Sequence, residues 1–178
     1  MKNYDVLYIG NYTKDTIISP AGIKYTDGGA VNYAAHAVAQ LGMKVAVVTR
    51  LAKEDDRVVE KFAQAGIDCF VTYTPQSTLM KLEYPTTDPD IRTLSVAGTA
   101  GTITADDVEK IDAKAAVIGS SLRGEVGTDV IQKLKDKNIL VAADMQGFVR
   151  VLRGNELKYE PWDEMQATLA HVDIVKTD

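Results

Sequence analysis

Gly28-Gly29-Ala30-Val31-Asn32-Tyr33-Ala34-Ala35-His36-Ala37-Val38-Ala39-Gln40-Leu41-Gly42 is the most informative stretch of this 178-residue chain. A glycine pair lets a backbone pass close to a ligand, because no side chain intervenes and left-handed dihedrals are open to it. The residues behind it are small and helix-forming, and the run closes on Leu41-Gly42, a helix stop. A helix beginning at such a turn points its free N–H groups back at the glycines. Singly, a glycine pair is a turn and an alanine-rich helix is a tightly packed one. Together they read as a small-molecule site.

Outward from this stretch, short apolar runs alternate with helical patterns. Val6 to Gly10, Val45 to Leu51, Ala115 to Ser120, Ile139 to Asp144 and Asp173 to Lys176 read as strands buried on both faces. Helical spacing fits Ala30 to Leu41, Asp56 to Ala65, Asp129 to Lys137 and Met165 to Ala170, with Gly42, Gly66 and Asn138 as stops. The alternation predicts an α/β fold, a largely parallel sheet with flanking helices, in one domain over residues 1–178. Two segments break the rhythm, about 16–26 and 69–97. Thr16 to Tyr25, Cys69 to Tyr73, Leu79 to Tyr84 and Arg92 to Val96 there read as antiparallel hairpin strands. They form either a small β-sheet lid over a ligand or ordinary hairpin excursions.

Composition narrows the function classes. The chain is 46% hydrophobic and 25% charged, with a formal charge of -5 and scattered Lys and Arg, so it offers no footprint for nucleic acid or an anionic membrane. A lone Cys69 forms no internal disulfide, and neither a charged-then-apolar leader nor a span of about 18 apolar residues is present. The expected location is the cytoplasm. Gly10 to Asp15 holds a single glycine where a dinucleotide site needs three. His36 and His171 lack Cys or His partners at metal spacing, so no metal site is assigned. Cys69 opens an apolar run and suits a small buried hydrophobe better than a nucleophile.

Asp15 follows Gly10 by five positions at the end of the first strand, where open α/β sheets place their ligand crevice. It is either a turn or capping aspartate, or an acceptor for neighbouring hydroxyls of a polyol. The run from Gly28 to Gly42 resembles, without a gap, the first signature of the ribokinase-like (PfkB) sugar and nucleoside kinases. Gly10 and Asp15 match the spacing of that family's substrate-binding aspartate. Ala97-Gly98-Thr99-Ala100-Gly101, Ala142-Ala143-Asp144 with Met145 to Arg150, and Val172 to Asp178 resemble further family segments.

The resemblance implies the N-terminal, substrate-binding portion of a carbohydrate kinase, with Asp15, Gly28, Gly29, Asn32 and Tyr33 around a small hydroxylated substrate. The family's asparagine falls on the position of Tyr33, whereas Asn32 stands one residue earlier, about 100° away around the helix. The resemblance also implies transfer of the γ-phosphate of ATP, with Mg2+, to a hydroxyl of a sugar, polyol or nucleoside. Asp178 occupies the asparagine position of a motif near the metal and phosphates. The Gly-Ala-Gly-Asp base segment and the anion hole fall after Asp178, so no catalytic residue is assigned here. The 178 residues alone are expected to lack the C-terminal nucleotide-binding part and to be inactive. A homodimer through the β lid, seen in parts of the family, is a further expectation. The alternative is a non-catalytic sugar- or nucleoside-binding module of the same fold.

Overall fold

The computed structural model describes residues 3–177. Six parallel strands form the main sheet: β1 (Asn3–Ile9), β4 (Val45–Ala52), β5 (Asp68–Thr74), β8 (Asp112–Ile118), β9 (Leu140–Asp144) and β12 (Ile174–Lys176), in the order β12-β9-β8-β1-β4-β5. Its central strands carry unbroken apolar runs, 6–9 in β1, 45–48 in β4 and 115–118 in β8, where both faces are covered. On β1, Leu7 and Ile9 face one core and Tyr8 the other; on β4, Ala46 and Val48 face the first, Val45 and Val47 the second. Helices α1 (Ala30–Ala39) and α2 (Arg57–Gln64) cover the second core through Val31, Ala35, Val58 and Phe62. Helix α4 (Thr128–Asp136) and the single-turn α3 (Ala105–Val108) cover the first through Val108, Val130, Ile131 and Leu134. Gly42, Gly66 and Asn138 all take positive φ just past a helix, the conformation that ends helices.

A second six-stranded sheet stands over one end of the first. It comprises β2 (Thr13–Ser19), β3 (Gly22–Gly28), β6 (Thr78–Glu83), β7 (Thr93–Gly98), β10 (Arg150–Arg153) and β11 (Glu156–Tyr159), in the order β10-β11-β7-β6-β2-β3. Its inner face carries Met80, Leu82, Leu94, Val96, Leu152 and Leu157 against Leu122 of the body. Cys69 to Tyr73, read from sequence as part of the lid, belongs instead to β5, the edge strand of the parallel sheet. The lid begins at Thr13 rather than about residue 16, and β10 and β11, reached from β9 through the short α5 (Gln146–Val149) and joined by a turn at 154–155, complete it. Helix α6 (Met165–Leu169) then returns the chain to β12.

Two polar clusters fasten the lid to the body. Asp27, at the end of β3, accepts hydrogen bonds from the Tyr12 hydroxyl (2.7 Å), both terminal nitrogens of Arg57 (2.7 Å each) and Lys61 Nζ (2.6 Å). The Arg57 guanidinium, first among these, holds the Asp27 carboxyl well below the usual range. Buried Asp55 accepts from Ser77 Oγ (2.6 Å) and pairs with Lys14 Nζ (2.9 Å), tying β2 and the approach to β6 to the end of β4.

Leu134 is fully buried between α4 and the sheet. Truncation by Leu134→Ala is expected to lower unfolding free energy by about 3 kcal/mol in urea titrations, with an unchanged m-value.

Candidate functional site

The cleft lies where the inner face of the lid meets the carboxyl ends of the parallel strands. A cavity of about 250 Å3 is lined by Thr13, Asp15, Gly29, Ala30, Tyr33, Met80, Leu82, Arg92, Leu94, Ser121, Asp144, Gln146 and Arg150. Asp15 comes to it from the middle of β2, not from the loop after β1 as the sequence suggested. Successive strand residues face opposite sides, so Thr13 and Asp15 share the inner face with Met80, which pairs with Asp15 across β6. The Thr13 hydroxyl donates to the Asp15 carboxylate, yet Oδ1 is buried without a hydrogen-bond partner. Burial, the larger effect, pushes the Asp15 carboxyl above its ordinary range; the Thr13 hydrogen bond opposes this and the nearby Asp27 charge adds to it.

The glycine pair makes this arrangement possible. Gly28 lies opposite Thr13, and a Cβ there would overlap the Asp15 carboxylate. Gly29 has φ +94°, and a Cβ on it would come 2.8 Å from the Asn11 carbonyl oxygen. It caps α1, its carbonyl accepting from the amides of Asn32 (3.0 Å) and Tyr33 (3.4 Å). Tyr33, 58% exposed, reaches the cavity wall. Asn32 does not line the cavity: one step around the helix turns it away, and its amide donates to the Asp27 carbonyl at 3.2 Å. Among the sequence-read residues, then, Asp15, Gly28, Gly29 and Tyr33 converge and Asn32 does not. Asp178 lies outside the described residues.

Other lining residues come from outside the glycine-rich stretch, and of these only Asp144, Gln146 and Arg150 fall in a segment that resembles the family. Ser121 follows β8, Gln146 opens α5, Arg92 precedes β7, and Arg150 begins β10. Asp144, at the end of β9, accepts from the Gln146 amide at 3.1 Å and pairs with Lys176 Nζ at 3.1 Å. Beneath the cavity Glu125 is 3% exposed; its carboxylate accepts from the backbone N–H groups of Asn11 (2.7 Å) and Ser121 (3.1 Å). Burial pushes its carboxyl up to about 7, against the pull of those two donors. Burial pushes the Cys69 thiol up to about 12, which disfavours the nucleophilic thiolate. Among the described residues no group of three His, Cys, Asp or Glu side chains could hold a metal ion. No helix of the described chain is long and apolar enough to cross a membrane.

Gly29→Ala meets both a disfavoured φ and a backbone clash, so a loss of about 3 kcal/mol is expected in denaturant unfolding. Glu125 gives a pH signature. An acid whose folded pKa lies above its unfolded value favours the native state while protonated, so this contribution is lost as pH rises from about 4.5 to about 7. Urea midpoints across that range should fall more steeply for the parent than for Glu125→Gln, which stays neutral. Equal slopes would contradict the assignment.

No protein-family model matches the chain, and no curated protein sequence is significantly similar to it. Solved structures match closely. One is a pyrophosphate-dependent kinase in the ribokinase family, complexed with a pyrophosphate analog and myo-inositol. It is 27% identical with a TM-score of 0.89, over 97% of this chain and 61% of that one. Another, a sulfate complex of a pyrophosphate-dependent kinase in the ribokinase family, is 28% identical with a TM-score of 0.88, over 96% of this chain and 60% of that one. The Arabidopsis thaliana ribokinase complexed with ribose and ATP shares the fold at 13% identity and a TM-score of 0.68, over 99% of this chain and 60% of that one. The chain therefore has the ribokinase-like fold, similar in sequence and structure to ribokinase-family kinases and spanning about three-fifths of their length.

Proposed function

We propose that the cleft binds the hydroxylated acceptor of a phosphoryl transfer, a sugar, polyol or nucleoside, and that the chain supplies the acceptor-binding part of a ribokinase-family kinase. The observation that carries this reading is the unpartnered, buried Oδ1 of Asp15 on a cavity wall. An ionised carboxylate offers about four acceptor positions, and one Thr13 hydrogen bond leaves most of them open. Two neighbouring hydroxyls of a polyol would satisfy them, as donors to a charged acceptor in a site shielded from water. Met80, Leu82 and Leu94 offer an apolar wall for the C–H face of such a molecule, and Tyr33 a ring or a phenol at the mouth.

In this reading Asp15 orients the acceptor, while the lid excludes water from the hydroxyl to be phosphorylated. Among the described residues no three His, Cys, Asp or Glu side chains could together hold a metal ion; in this reading Mg2+ and the phosphoryl donor bind in the part of the fold that the relatives carry outside the matched stretch. ATP is the donor the general resemblance implies. The relatives at 27% and 28% identity are pyrophosphate-dependent, which makes pyrophosphate the first alternative donor to assay. The cell compartment proposed is the cytoplasm, and a lid-to-lid dimer would bury Ile23 and Tyr25, exposed on edge strand β3.

Calorimetric titration with myo-inositol, ribose and a nucleoside tests the acceptor reading. At least one is expected to bind, and Asp15→Asn to weaken it about tenfold or more. Because burial raises the Asp15 carboxyl, its protonation removes the acceptor; affinity should fall on acidification from about pH 7 to about pH 4, and Asp15→Asn should lack that slope. Binding indifferent to both the substitution and pH would refute the proposal.

A further inference from the structure

The chain has six arginines, and four are already engaged. Arg50, Arg57 and Arg153 pair with Asp107, Asp27 and Glu160 at 2.8, 2.7 and 2.6 Å. Arg123 donates to the carbonyls of Phe148 (2.5 Å) and Glu160 (2.8 Å). Arg92 and Arg150 remain, and among the described residues neither has a carboxylate partner. Arg92 gives one hydrogen bond to the Tyr84 hydroxyl (3.3 Å), and Arg150 Nε gives one to the Tyr159 hydroxyl (3.2 Å). Each guanidinium carries five donors, so most stay free.

Both residues line the cavity that holds Asp15, and both also line an adjoining hollow of about 350 Å3 with Leu157, Lys158 and Tyr159. Strand register explains the coincidence. Arg150 pairs with Tyr159 across β10 and β11, and the pairing of Glu156 with Ser95, carried three residues on, brings Tyr159 opposite Arg92. The three side chains thus continue the inner face of the lid, where its apolar residues end. The other charges facing this space are Asp144, held by Lys176, and Glu156, held by Lys158. Two guanidinium groups without a carboxylate partner, Arg150 also lying over the Tyr159 ring at 5.8 Å, are therefore set against one carboxylate without a cationic partner, Asp15.

We infer that the acceptor bound in this cleft carries an oxyanion, a carboxylate or a phosphate, which the guanidinium forks of Arg92 and Arg150 hold while Asp15 takes its hydroxyls. The inference rests on the reading of the cleft as a polyol site and narrows its substrate to sugar acids or sugar phosphates. A guanidinium presents paired parallel donors to either oxyanion, and two of them at one junction suit a bidentate grip that a neutral polyol would leave unused.

Calorimetric titration of the 178-residue chain with glucitol, gluconate and glucose 6-phosphate separates the cases. At least one anion is expected to bind about tenfold or more tighter than glucitol, with an advantage that shrinks as salt is raised. Which anion wins tells carboxylate from phosphate. Arg92→Ala and Arg150→Ala should each weaken the anion about tenfold more than they weaken glucitol, a difference that general misfolding would not produce. If glucitol binds through Asp15 as tightly as both anions, or if both arginine variants hold the anion as the parent does, the oxyanion subsite is wrong and the polyol site stands. If no ligand binds in an Asp15-dependent way, both readings fall together.

Discussion

Where a strand leaves a parallel sheet its backbone N–H groups lose their ladder partners, and in a buried floor such as that of the cleft they need another acceptor. Glu125 supplies the acceptor. Its carboxylate holds the amide of Asn11 beyond β1 and that of Ser121 beyond β8, and the Asn11 side chain extends the grip to the Arg50 amide (3.2 Å) and the Gly101 carbonyl (2.8 Å). A Cβ on Gly10 would stand 2.6 Å from the Gly119 carbonyl oxygen, so the strands must be this close before the carboxylate can reach both. Tyr12 then anchors its amide on Thr49 Oγ1 at 2.8 Å, which sets where β2 begins and thereby on which face Asp15 emerges.

The β2–β3 hairpin carries two carboxylates in opposite circumstances. Asp27 is surrounded by three donor side chains and ionises readily; Asp15 has one hydroxyl and a dry wall and resists ionisation. Environment rather than residue type divides their roles: the first is a structural rivet between lid and body, the second an acceptor left open. Isolated surface ion pairs contribute little, but Asp27 gathers Tyr12, Arg57 and Lys61 on a side chain only 15% exposed.

The parallel sheet was legible because strands covered on both faces must be apolar along their length, and β4, Val45-Ala46-Val47-Val48, is the plainest case. The placement of Cys69 to Tyr73 was not. An edge strand is half exposed, as a lid strand is; the cue lay in α2, since a helix after β4 packs back beside a parallel neighbour. Strands β10 and β11 offer only Leu152 and Leu157 to an apolar face, too little periodicity to distinguish them from a loop. In the site, Asp15, Gly28, Gly29 and Tyr33 lie within a short span and share a local signature. Arg92, the pair Ser121 and Glu125, and the pair Gln146 and Arg150 come from three separate stretches that only the folded topology joins to the cleft, although the last pair lies in a segment with a family resemblance.

The lid is not one insertion but three, since β2–β3, β6–β7 and β10–β11 each depart from the body and return to it. A flap on a single linker swings like a door; a plate stitched along its base at separate seams can only flex. Access to the cleft must therefore come from bending or twisting of the strands, and the tightness of entry is a matter of sheet stiffness rather than hinge length. Such stitching also denies the lid a life of its own, because its inner strands find their neighbours only when distant parts of the chain have already come home.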